Sequence, residues 1–214
     1  MYNLKKHSHL LKQWWIKMDK KGFTLIEVIS VIVIIGILML IAIPAVSSYI
    51  ISSRRATYAA SVSAYVETIN ASYEMKDYGK LINEYEIMIV PMKNVELEVG
   101  DNKDSPFGEY DFTKSYAVVT FENHKYQIYI NAVDTTGTGI VEKSANELSK
   151  ENVEDGIADM ILPWANYTSA SRSYPFKNKT YTICETRHRG TDGIYSSTNE
   201  VNTSYDPVLI LCED

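Results

Sequence analysis

The sequence predicts an α+β protein, one long N-terminal helix carrying a small antiparallel β-rich head, on three observations. Residues 23–46 form an almost unbroken apolar run. Residues 46–73 continue with apolar side chains at three- and four-residue spacing. From Asn94 onward, short segments alternate apolar and polar residues between turn signals. At 214 residues the chain suits one ordinary domain with an appendage. A composition of 45% apolar and 22% charged residues excludes wholesale disorder.

The helix comes first in the chain. Phe23 to Val46 reads FTLIEVISVIVIIGILMLIAIPAV, which as a helix extends about 36 Å and covers a hydrocarbon core of about 30 Å. Lys5, Lys6, Lys12, Lys17, Lys20 and Lys21 all precede it, so the positive-inside rule places residues 1–22 in the cytoplasm and 47–214 outside. The formal charge of −6 divides into +5 over residues 1–22 and −11 over the rest, and an acidic head disfavours nucleic-acid binding. A signal anchor and a cleaved secretory signal both fit, and Ala45-Val46-Ser47 has the small-x-small form of a cleavage site. Beyond Pro44 the residues Val46, Tyr49, Ile50, Ala56, Ala60, Val62, Val66, Ile69 and Tyr73 keep helical spacing. One helix is expected from Phe23 to Tyr78, bent or loosened at Pro44, weakened at Gly36 and stopped by Gly79.

Glu27 does not suit an ordinary signal. It lies among Leu25, Ile26, Val28 and Ile29, where a carboxylate costs about 2–4 kcal/mol on insertion scales and needs a partner. An α-amine created by cutting between Gly22 and Phe23 supplies one. Lys20-Lys21-Gly22-Phe23-Thr24-Leu25-Ile26-Glu27, followed by an apolar helix to Pro44, resembles the class III signal of type IV prepilins and pseudopilins. The resemblance implies cytoplasmic-side cleavage after Gly22 by a membrane prepilin peptidase, N-methylation of Phe23, and an assembly contact between Glu27 and a neighbouring subunit's Phe23 amine. The basic leader is long for that family.

Under the same resemblance the chain divides into a removed leader at 1–22 and a transmembrane and polymerisation helix at 23–50. An amphipathic half of the same helix follows at 51–78, then an extracellular head at 79–214. Strands are expected at Asn94–Val99, Tyr116–Phe121 and Lys125–Val133, the last two joined as a hairpin through Glu122-Asn123-His124. Asp134–Gly139 reads as a loop. Ser144–Leu162 reads as two helical pieces opened by a Ser144-x-x-Glu147 capping box. Thr180–Cys184 and Pro207–Cys212 are short strand candidates around a polar loop, Gly190–Tyr205. A helix whose outer half packs on such a sheet resembles the pilin lollipop.

Cys184 and Cys212 lack metal or thioredoxin spacing. Outside the membrane they suit a disulfide, as in many pilins, with two buried free thiols as the alternative. Asp192, Glu200 and Asp206 fit no EF-hand pattern and read as a solvated acidic loop, although some pseudopilins bind calcium. The sixteen tyrosines read as core, sheet-face and subunit-contact residues. His124 and His188 stand alone, and Asn70, Asn166, Asn178 and Asn202 open weak glycosylation sequons.

No phosphate-cradling G-x-x-x-x-G-K-[ST] loop and no G-x-S-x-G elbow is present, so neither an enzyme nor a cofactor is expected. The expected function is a structural subunit, cleaved and polymerised into a surface pilus or pseudopilus. Its expected partners are itself and other pilins, the prepilin peptidase and methyltransferase, an assembly ATPase with its platform protein, and membrane lipid before assembly. The competing class is a membrane-anchored or secreted enzyme or binding domain with an ordinary signal.

Overall fold

The computed structural model describes residues 22–74, 78, 84–97, 103–157, 173–198, 200 and 204–214. Leu25–Glu74 form one α-helix, α1, that runs unbroken through Pro44. Pro44 has no N–H, so the Leu40 carbonyl loses its intrahelical donor. The Ser30 and Ser47 hydroxyls donate to the carbonyls of Ile26 and Ile43, at 2.7 and 2.9 Å, which satisfies two polar groups inside the apolar stretch. The expected stop at Gly79 lies outside the described residues.

The chain forms two compact units that divide after Ser48. In the first, every described residue is exposed, and the helix is long and apolar enough to cross a membrane. In the second, the outer part of α1 buries Tyr58, Ala59, Val62, Tyr65, Val66, Ile69 and Tyr73 against a sheet. Ala56 and Ala60, expected on the packed face, are exposed instead. Tyr58 and Tyr65 hold that face because their rings fill volume and a tyrosine hydroxyl can be satisfied within a core: that of Tyr58 donates to the Ala132 carbonyl at 2.9 Å.

The strands are β1 (Glu86–Pro91), β2 (Asp104–Ser105), β3 (Gly108–Glu109), β4 (Tyr116–Glu122), β5 (Lys125–Val133), β6 (Gly139–Ser144), β7 (Tyr174–Phe176), β8 (Lys179–Arg189), β9 (Tyr195–Ser196) and β10 (Val208–Glu213). The main antiparallel sheet has the order β6-β5-β4-β1-β10-β8-β7, with β9 paired to β8. β2 and β3 form a separate pair. The β4–β5 hairpin turns through Asn123 and His124, both at positive φ, as a two-residue primed turn requires.

Side chains alternate between two buried faces. Met88, Val90, Ala117, Val119, Val208 and Ile210 face the cluster that includes α1. Ile87, Ile89, Tyr116, Val118, Leu209 and Leu211 face a second cluster on the other side. Edge strand β7 closes that second cluster. Its Tyr174 hydroxyl lies 3.1 Å from that of Tyr116 on β4, and Phe176 packs edge-on against Tyr129 of β5 at 5.3 Å between ring centres. β7 and β4 are four strand spacings apart, about 19 Å in a flat sheet, so the sheet is strongly curled.

Three expectations need correction. The strand expected at Asn94–Val99 is absent from its described part: Met92–Asn94 form a 3-10 turn and residues 95–97 are irregular. The actual strand, β1, lies just upstream. It is buried on both faces, so EIMIVP shows no alternation to read. Ser144–Leu162 holds two single 3-10 turns, Ala145–Glu147 and Lys150–Asn152, in place of longer helices, and residues 158–162 lie outside the described set. The capping box is present nonetheless, the Glu147 carboxylate accepting from the Ser144 N–H and hydroxyl at 3.1 and 2.8 Å. Edge strand β6 was not expected, since its shifted pairing with β5 and the positive φ of Glu142 break the period-two pattern.

Candidate functional site

Gly22, Phe23 and Thr24 precede the first turn of α1, and Thr24 caps it. The Thr24 hydroxyl accepts the Glu27 N–H at 3.3 Å, and the Thr24 carbonyl accepts the N–H groups of Glu27 and Val28 at 3.1 and 3.3 Å. In return the Glu27 carboxylate accepts the Thr24 N–H at 2.9 Å and the Thr24 hydroxyl at 2.8 Å. This is a reciprocal capping box, with an acidic side chain at the positive end of the helix dipole.

Glu27 therefore has a partner in the uncut chain, which sequence reasoning missed. The signal was available: Thr24-Leu25-Ile26-Glu27 has the same Ser/Thr-x-x-Glu form as Ser144–Glu147. Both carboxylate contacts use one oxygen, Oε2, and Oε1 makes no hydrogen bond among the described residues. Phe23 is 86% exposed, and a Cβ built on Gly22 meets nothing within 4 Å. The glycine thus answers to no packing demand among the described residues.

Residues 17–43 match the family model described as the prokaryotic N-terminal methylation motif. That motif is the class III signal of type IV pilins and pseudopilins, so the segment bearing Gly22, Phe23 and Glu27 carries the mark of a pilin-like precursor. Such precursors are processed by a prepilin peptidase and assemble with other pilins as structural subunits. No curated protein and no solved structure matches the chain.

In the head, Cys184 and Cys212 form a disulfide with their Cα atoms 5.8 Å apart. Pairing between β8 and β10 slips between Ile210 and Leu211, so that Ile210 faces Glu185 and Leu211 faces Ile183. Cys184 is the extra residue of that bulge, and the disulfide fastens the two strands there. The three acidic loop residues do not converge. Asp192 accepts the Ile194 N–H at 3.0 Å, Asp206 pairs with Lys93 at 3.2 Å, and Glu200 is exposed. Among the described residues no group of three or more His, Cys, Asp or Glu side chains is arranged to hold a metal ion.

The tyrosines tie the head together. Tyr58 and Tyr65 pack against Tyr110, whose hydroxyl lies 2.5 Å from that of Ser61 on α1. Burial pushes the hydroxyls of Tyr110 and Tyr174 up to about 12, so both are neutral donors at physiological pH.

Proposed function

We propose that this chain is a structural subunit of a type IV pilus or pseudopilus, cut after Gly22, N-methylated at Phe23 and polymerised through α1. The observation that carries the reading is the N-terminal methylation motif, with its acidic residue at the third position of α1, in the helix's exposed apolar stretch. The leader lysines favour a cytoplasmic N-terminus and an outward head. In the membrane, residues 23–50 are covered by lipid tails, and in a filament by the same stretch of neighbouring copies. Both surroundings are dry, so one surface serves as anchor and as assembly interface. Pro44 supplies a site of local loosening during that transfer.

Cleavage creates an amine one residue from Thr24. Glu27 Oε1 meets the Phe23 amine of a neighbour, while Oε2 keeps its bonds to Thr24. At about 4 Å and an effective dielectric of about 20 that attraction is on the order of 4 kcal/mol before desolvation. Extraction from lipid needs work that this chain does not supply, which gives an assembly ATPase and its platform protein their place as partners. Adhesion, twitching motility, secretion and DNA uptake are the roles such a filament serves. Immunogold labelling with an antibody to the head tests the reading. Labelled surface filaments that shear off with this subunit in them support it. Label confined to the cell body, with no sheared subunit, contradicts it.

A further inference from the structure

One face of the curled sheet packs on α1, and the opposite, concave face encloses the second buried cluster. That concave face is open at the end where the β4–β5 and β7–β8 turns lie, and a cavity of about 240 Å³ remains there. The buried side chains of Ile87, Phe176 and Tyr181 line it, with Glu122, Lys177 and Lys179 around them. The mouth of a curled or closed sheet is a recurrent place for small-molecule sites. At about 30 Å³ per water the volume equals roughly eight waters, which suits one small organic molecule and far exceeds a bare ion.

The polar groups at this mouth are fixed and charge-balanced. Lys177 reaches in from the β7–β8 turn, its Nζ donating to both Glu122 oxygens at 2.9 and 3.1 Å and to the Tyr129 hydroxyl. It holds that place from a positive φ of 46°, which a lysine adopts only at a cost. Lys179 donates to Glu213 at 2.7 Å. Tyr181 is 4% exposed, and its hydroxyl makes no hydrogen bond among the described residues. Tyr85 stands at the rim, with the Lys179 ammonium 5.9 Å from its ring centre. At 66% it is the most exposed large apolar side chain beyond α1 among the described residues.

This combination selects a ligand chemistry. Each ammonium is already neutralised by a carboxylate and the head is acidic, so an anion gains little here. A cation would meet two ammonium groups. A neutral molecule that donates and accepts at adjacent atoms fits, since one hydroxyl can accept from an ammonium while its neighbour donates to a carboxylate. The C–H face of a sugar ring also matches the apolar face of an exposed tyrosine. We propose that the open end of the curled sheet binds one neutral pyranose ring, free or at the end of a glycan. The Lys177–Glu122 and Lys179–Glu213 pairs and the Tyr181 hydroxyl hold its hydroxyl groups, and Tyr85 covers its edge. The site goes beyond the pilus reading and stands apart from cleavage and assembly.

Saturation-transfer NMR on the full-length protein, in a detergent without a sugar headgroup, tests the site. The probes are neutral methyl glycosides of glucose, galactose and N-acetylglucosamine, with methyl glucuronide and glucosamine as charged controls. At least one neutral ring, as the free glycoside or as the terminus of an oligosaccharide, should receive more saturation than either charged sugar. Tyr181→Phe deletes only a hydroxyl that no described residue uses, so Tm should hold while binding weakens by about threefold to tenfold. Tyr85→Ala should weaken binding by a similar factor, of about threefold to tenfold. Silence from every neutral glycoside, stronger transfer to a charged sugar, or unchanged binding in either variant would overturn the proposal. Filaments that assemble normally but bind no sugar would refute this site and leave the pilus reading standing.

Discussion

Gly22 and Glu27 are five residues apart and answer to different partners. Added side-chain atoms at Gly22 meet nothing among the described residues, and the proposed cleavage gives the glycine a role, since a peptidase has to approach an extended backbone at the membrane face. Gly22→Val should therefore leave the head folded and block processing, and immunoblotting should find the precursor in the membrane fraction. Normal-sized mature subunit from that strain would sink the cleavage assignment. Glu27→Leu keeps bulk and helix propensity while deleting the charge. It eases residence in lipid by a few kcal/mol and removes the attraction to a neighbour's amine, so both effects favour the membrane monomer. Cleaved but unassembled subunit is the expected outcome when this chain is the sole pilin, read as membrane-retained against sheared protein. The methylation motif was legible in the sequence because a carboxylate in an apolar run demands an explanation. The bonds of Glu27 to Thr24 were less legible, because a capping box at a helix start and a carboxylate lacking a cation present the same residue in an apolar run.

A wet face helps an element to be read but is not required, since β4 and β10 are buried on both faces and were still expected. β5 begins with exposed Lys125 and Tyr126, and its bounds match the reading at both ends. β1 is buried on both sides and its apolar run ends in Pro91, so the alternating segment just after it carries the stronger strand signal. Gly139 explains one of the tighter junctions. A Cβ there would lie 2.4 Å from the Ala132 carbonyl oxygen, a backbone atom of the paired strand that cannot swing aside. Gly139→Ala should cost about 2–4 kcal/mol, measured by denaturant unfolding of the detergent-solubilised protein, and a loss below the error of that measurement would contradict the register of β5 on β6. The disulfide closes a loop with a sequence separation of 28. Its reduction should cost roughly 3–4 kcal/mol and lower the head's Tm by on the order of 10 °C, leaving processing at Phe23 untouched.

At the scale of the whole molecule, the last strand is not peripheral. β10 lies between β1 and β8 and contributes to both buried clusters, so the head cannot close until the C-terminal residues are present. This central place for the chain's end was not legible, because strand order depends on pairings remote in sequence that no local pattern encodes. Alkaline pH should loosen the head in a defined window. Tyr110 and Tyr174 titrate at about 12 when folded, against about 10 in an unfolded chain. Ionisation therefore favours unfolding, and the stability these groups contribute is intact below about pH 10 and lost as the pH rises toward 12. Thermal melts followed by tyrosinate absorbance should show Tm falling across that interval, whereas a Tm flat through it would contradict the burial of these hydroxyls. The central claim concerns what the cell does to the other end of the chain. Mass spectrometry of the N-terminal peptide from the native subunit tests it most directly. The account predicts a chain that begins at N-methylated Phe23, and a chain that begins at Ser48, or that retains Met1, would contradict it.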